Sequence, residues 1–147
     1  MPPFLLFFLA VILALVAWMG GPPERWGAAF VFIRHVLVDP AYHAFSEPSR
    51  FDSLEPVHAV LDTSLFLAIL WLALHANRIW PMWLCASALI VLVGHFVVLM
   101  GMKGNQLAYW GMTQLPIFME LGILLAGTIS HRLRLRRTGP YRSWRLS

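Results

Sequence analysis

Val57–Leu74 (VHAVLDTSLFLAILWLAL) and Trp83–Met100 (WLCASALIVLVGHFVVLM) are two unbroken apolar runs joined by the short link Ala76-Asn77-Arg78-Ile79-Trp80-Pro81. As helices, each rises about 27 Å, close to the roughly 30 Å hydrocarbon core of a bilayer. The link leaves room only for a tight antiparallel turn. A membrane hairpin is therefore the centre from which the rest of the chain is read. Composition agrees: of 147 residues 59 % are apolar and 12 % charged, with mean hydropathy +0.69. Soluble domains carry roughly 25 % charged residues, so lipid must cover the surplus apolar surface. The expected fold is an all-α, polytopic transmembrane helical bundle.

Upstream of the hairpin, Phe4–Met19 is apolar and about 24 Å long as a helix, ending at Gly20-Gly21-Pro22-Pro23. It lacks the positive start and small-x-small end of a signal peptide, so it reads as an anchored helix. Pro23 and Glu24 suit the first turn of the next helix. Trp26–Val38 is short and carries Arg34 and His35; Asp39-Pro40 is expected to stop it, and Ala41–Glu55 to form an acidic aqueous loop. Downstream, Ala108–Ile129 is a further apolar run with Pro116 inside it. The expectation is a bundle over 1–131, with spans near 4–19, 24–38, 57–75, 81–100 and 108–130, and a basic tail over 132–147. Four spans plus an interfacial helix at 26–38 is the alternative.

Lys and Arg accumulate on the cytoplasmic side of membrane proteins. With five spans and the C-terminus inside, that side holds Arg25, Arg78 and six tail arginines, against Arg34, Arg50 and Lys103 outside. Eight against three favours this orientation. The tail cluster Arg132, Arg134, Arg136, Arg137, Arg142 and Arg145 reads as a grip on anionic lipid headgroups, worth about 1 kcal/mol per residue near the surface. It is the source of the net charge of +4, and nucleic acid is the weaker reading. One cysteine, Cys85, excludes intramolecular disulfides and CxxC or CxxCH motifs. Trp18, Trp26, Trp80, Trp83, Tyr109 and Trp110 fall at run ends, where amphipathic rings prefer the headgroup level.

Ionisable residues inside the spans carry the most information, since each costs at least about 2.5 kcal/mol at mid-helix. They are Arg34, His35, His58, Asp62, His95 and Glu120. His58 and Asp62 are four apart and share a helix face. Asp62 and His95 each lie six residues, roughly 9 Å, inside the end opposite the tail, and Arg34 and Gln114 sit at similar depth. One reading pairs Arg34 with Asp62 and lets the histidines satisfy leftover donors, which would hold the helices in register. The sharper reading is a site. His58, Asp62 and His95 suit zinc or another divalent metal, and a histidine pair could clamp a haem. Glu120 stands alone near the midplane, four residues after Pro116, either hydrogen-bonded to backbone or part of a proton relay.

The arrangement Tyr42-His43, His58-x-x-x-Asp62, Ala76-Asn77-Arg78-x-Trp80-Pro81, His95, and Tyr109 before Pro116 resembles a group of small multi-pass inner-membrane proteins of bacteria that carry no assigned function. The resemblance implies a bacterial cytoplasmic membrane and a helical bundle, with no activity or ligand. Three classes of function remain. The first is a non-enzymatic bundle acting through helix contacts with itself or other membrane subunits. The second is a proton- or metal-linked carrier or a haem or metal holder. The third, a membrane enzyme, ranks last, because no nucleophile, metal signature or phosphate cradle accompanies the histidines and carboxylates.

Overall fold

The computed structural model describes residues 3–45, 56–100 and 106–145. They form α1 (Pro3–Met19), α2 (Pro22–Phe32), a π-helical segment (Ile33–Val38), α3 (Asp39–Phe45), α4 (Pro56–His75), α5 (Trp80–Leu99) and α6 (Gln106–Thr138). The segment from α2 through α3 is continuous, so the described residues make five rods. No strand occurs among the described residues. Three helices, Pro56–His75, Trp80–Leu99 and Leu107–Thr138, are long and apolar enough to cross a membrane, and Phe4–Met19 is a shorter apolar helix.

The break between α1 and α2 depends on glycine. A Cβ on Gly20 would lie 2.5 Å from Glu24 Cβ and 2.6 Å from the Val16 carbonyl oxygen. Gly21 is extended, Pro22 opens α2, and Glu24 sits in its first turn, where the helix dipole favours an acid. The helix does not stop at Asp39-Pro40, contrary to the expectation above, and Ala41–Phe45 are helical rather than loop. The π segment, which ends at Val38 just before Asp39-Pro40 continues the helix, is the physical reason. Its wider turn gives the Asp39 N–H a bond to the Arg34 carbonyl, and it relieves the clash a proline ring makes with the carbonyl four residues back. The remainder of the expected acidic loop, 46–55, lies outside the described residues.

The α4–α5 hairpin forms as expected, with Pro81 in the first turn of α5. α6 runs 33 residues through Pro116 and two turns past the expected span end. It ends at Gly139, whose φ of 72° is the left-handed conformation. The Gly139 N–H bonds to the Leu135 carbonyl at 3.1 Å, which closes the helix. The chain then folds back. Asn77 N–H donates to the Ser143 carbonyl at 3.0 Å and Arg145 N–H to the His75 carbonyl at 2.8 Å, so 140–145 straps the α4–α5 turn.

α5 packs between α4 and α6, α1 lies against α2 and α6, and α2 touches α4 and α6. Leu13, Val31, Ile69, Leu84 and Leu124 meet in the core. Burial of polarity is inverted relative to a soluble protein. Glu24, Arg34, His35, Asp62, His95 and Glu120 are buried, while Phe4, Phe7, Trp18, Trp83, Phe96 and Leu107 are exposed. That inversion suits lipid as the outer solvent.

Candidate functional site

The buried polar groups form three tiers along the bundle. At the end opposite the arginine-rich tail, Arg34 is the hub. Its Nη2 lies 2.6 Å and its Nε 2.7 Å from Asp62 Oδ1, while Nη1 reaches Asp39 Oδ1 at 3.0 Å. His95 Nε2 donates to Asp62 Oδ2 at 2.9 Å. A carboxylate accepts only, so Nε2 of this ring carries a proton, and its Nδ1 lies 3.0 Å from the Tyr109 hydroxyl. Asp62, His95 and Tyr109 are thus a chain along which a proton can be passed. Asp39 also meets His58 Nε2 at 3.3 Å and His43 Nε2 at 4.0 Å. Asp39 follows the expected span. Burial pushes its carboxyl up, but hydrogen bonds from His58 and Arg34, with their charge, outweigh this and hold it well below the usual carboxylate range.

The middle tier joins α6 to the π segment. Adjacent residues Arg34 and His35 both turn inward, and His35 Nε2 approaches Glu120 Oε2 at 3.3 Å. Glu120 therefore does not stand alone, as its isolation in an apolar run had suggested. The contact is at ion-pair distance but misaligned for a hydrogen bond, and neither atom has a hydrogen-bond partner. Only a small reorientation of either side chain separates the contact from a hydrogen bond. Near it, Ser87 Oγ donates to the Pro116 carbonyl at 3.2 Å.

The third tier, at the arginine-rich end, was missed from sequence. Glu24 is fully buried. Its Oε1 accepts from Trp80 Nε1 at 2.9 Å and Arg78 Nε at 3.3 Å, while its Oε2 has no hydrogen-bond partner. Trp80 lies in a slot that glycines open. A Cβ would fall 3.0 Å from its ring at Gly27 and 2.8 Å at Gly127. His131 Nδ1 pairs with the Tyr141 hydroxyl at 2.7 Å, and the guanidinium groups of Arg78 and Arg134 each sit 4.5 Å from the Tyr141 ring centroid. A signal for this tier existed: Glu24 is the one acid in a region carrying Arg25, Arg78 and the tail arginines.

The expected metal trio is divided between two carboxylates, with His58 on Asp39 and His95 on Asp62. Among the described residues, the ligand atoms that converge are those of Asp39, His43 and His58, all within 4.8 Å of one another. Gln114 is half-buried and joins neither network. The expected headgroup arginines Arg132, Arg134, Arg136, Arg137, Arg142 and Arg145 are all exposed, and Arg132 Nε also donates to the Met19 carbonyl at 2.7 Å. No protein-family model, curated protein or solved structure matches this chain.

Proposed function

We propose that this chain is a multi-pass protein of a bacterial inner membrane, with five spans and the arginine-rich end in the cytoplasm. It works as a non-enzymatic bundle, through contacts of its outward faces with itself or with other membrane subunits. The observation that supports this is the inward pairing of charge. Arg34 with Asp62 and Asp39, and Arg78 with Glu24, use their charges on each other. The outward faces are left to lipid and to other helices, including a shallow apolar groove between α1 and α6 lined by Leu5, Phe8, Ile117 and Phe118. Eight basic residues against three support the orientation, and the exposed tail arginines suit anionic lipid. The test is the mass of the protein in native-lipid nanodiscs. A defined oligomer or subunit complex that Phe8→Arg and Phe118→Arg dissolve is expected; a monomer at all membrane concentrations would overturn the reading.

A second reading, a proton-linked carrier, draws on the His35–Glu120 contact, two buried ionisable groups 3.3 Å apart whose facing atoms have no hydrogen-bond partner. Intramembrane ionisable pairs are frequent elements of proton relays. Proton flux into proteoliposomes that Glu120→Gln abolishes supports it, and equal flux from protein-free vesicles removes it.

A further inference from the structure

We propose that Asp39, His43 and His58 form a binding site for a divalent transition-metal ion of the zinc class. The donor set is two imidazole nitrogens and one carboxylate oxygen, which suits zinc and its neighbours rather than calcium or magnesium. The geometry is close to what such an ion needs. Bonds of about 2.0–2.1 Å in a tetrahedral site put ligand atoms roughly 3.3 Å apart. Asp39 Oδ1 to His58 Nε2 is 3.3 Å, Asp39 Oδ1 to His43 Nε2 is 4.0 Å, and all three ligand atoms lie within 4.8 Å of one another, so rotations of the two imidazoles complete the set.

The site is built from two elements. Asp39 and His43 are four residues apart on one face of α3, and His58 comes from the first turn of α4. It exists because the helix continues through Pro40; a loop after Asp39 would not place His43 one turn from it. The surroundings suit a ligand shell. Arg34 Nη1 bonds to Asp39 Oδ1 at 3.0 Å and fixes the carboxylate, taking one of about four lone-pair directions it offers. Tyr42 packs edge-on against both rings, with centroids 5.3 Å from His43 and 5.1 Å from His58. With the histidines neutral, as ligation requires, Arg34 faces two carboxylates, Asp39 and Asp62, so the cluster carries one negative charge more than the arginine cancels. The three side chains are 15 % to 28 % exposed, which leaves an approach for the ion and a coordination position open to water. A bound ion would tie α3 to α4. This inference stands apart from the proposed mode of action, since a bundle or a carrier could each hold it.

The experiment uses the full chain in detergent, freed of any polyhistidine tag and stripped with chelator, then titrated with Co²⁺ and displaced by Zn²⁺. A tetrahedral cobalt spectrum saturating at one ion per chain is expected, with affinity weakened at least about 10-fold by His43→Gln and by His58→Gln. His43 is the partly exposed member, so its variant also serves where His58→Gln destabilises the fold. His75→Gln, at the other end of the bundle, should bind like the parent. The proposal is overturned if no stoichiometric site appears, if His43→Gln binds unchanged, or if binding is lost in His95→Gln instead, which would return the ion to the Asp62 trio.

Discussion

Replacing Asp62 by asparagine keeps the shape of the side chain and removes its charge. The two Arg34 contacts to Oδ1, at 2.6 and 2.7 Å, then fall on a neutral amide, so Asp39 is the one anion left to it, and His95 meets an amide NH2 or oxygen where it had a carboxylate at 2.9 Å. Both Arg34 and Asp62 are buried. An ordinary interhelical hydrogen bond in a membrane protein contributes about 0.6 kcal/mol, whereas breaking one partner out of a buried ion pair costs about 3–5 kcal/mol. The remaining Asp39 contact places the expected loss near the lower figure, about 3 kcal/mol, or roughly two powers of ten in the unfolding equilibrium. Unfolding by SDS in mixed micelles, followed by the fluorescence of the seven tryptophans, reads this directly. Arg34→Gln and the double variant complete a cycle whose coupling should lie at about 1–3 kcal/mol. A loss under about 0.5 kcal/mol, the scale of a surface substitution, or strict additivity would refute the claim that Arg34 clamps the helices.

Gly127→Ala drives a methyl to 2.8 Å from the Trp80 indole and should cost about 1–3 kcal/mol by overpacking, while Gly122→Ala, with nothing within 4 Å, should be neutral or slightly stabilising; thermal melts of the pair decide. Trp80→Phe removes a donor from buried Glu24 and is expected to lower stability by about 1.5–3 kcal/mol, with Leu74→Ala on the lipid face as a milder control. The depressed carboxyl of Asp39 stabilises the fold above its unfolded value, about 3.9. That contribution is lost as pH falls through the lower folded value, so Asp39→Asn should flatten the acid limb of a melting-temperature profile. Parallel acid limbs for the two proteins would count against it.

How far the site was legible follows from what a helix register encodes. Depth is readable, because residues counted from a span end convert to ångströms; of Arg34, Asp62, His95 and Gln114, expected in one layer, the first three meet and Gln114 does not join them. Azimuth is less readable, because it depends on the local twist. Adjacent residues of an α-helix point about 100° apart; here Arg34 meets Asp62 on α4 and His35 meets Glu120 on α6. The π segment changes that phase, and no periodicity in Ile33–Val38 announces it. For the same reason the continuation through Pro40, and with it the placement of His43 beside Asp39, could not be read from a dipeptide that ordinarily ends helices.

Polarity was the second source of misreading. Residues 140–145 are polar and basic, so hydropathy assigns them to water, yet their backbone pairs with the α4–α5 turn. The reason lies at the turn itself. His75 to Ile79 ends one helix before the next begins, leaving a carbonyl at His75 and an N–H at Asn77 that no helix satisfies. In water such groups would be solvated at little cost; beneath a roof of Arg78, Tyr141 and Trp144 they are bonded by the returning chain. The same roof lies close to Glu24, whose Oε1 is held by Arg78 and Trp80. The strap and the buried glutamate are therefore one structure: Arg78 bonds Glu24 on one side and Ser143 Oγ, at 3.4 Å, on the other. The basic tail thus closes that end of the bundle over an acid that would otherwise lie nearer its surface.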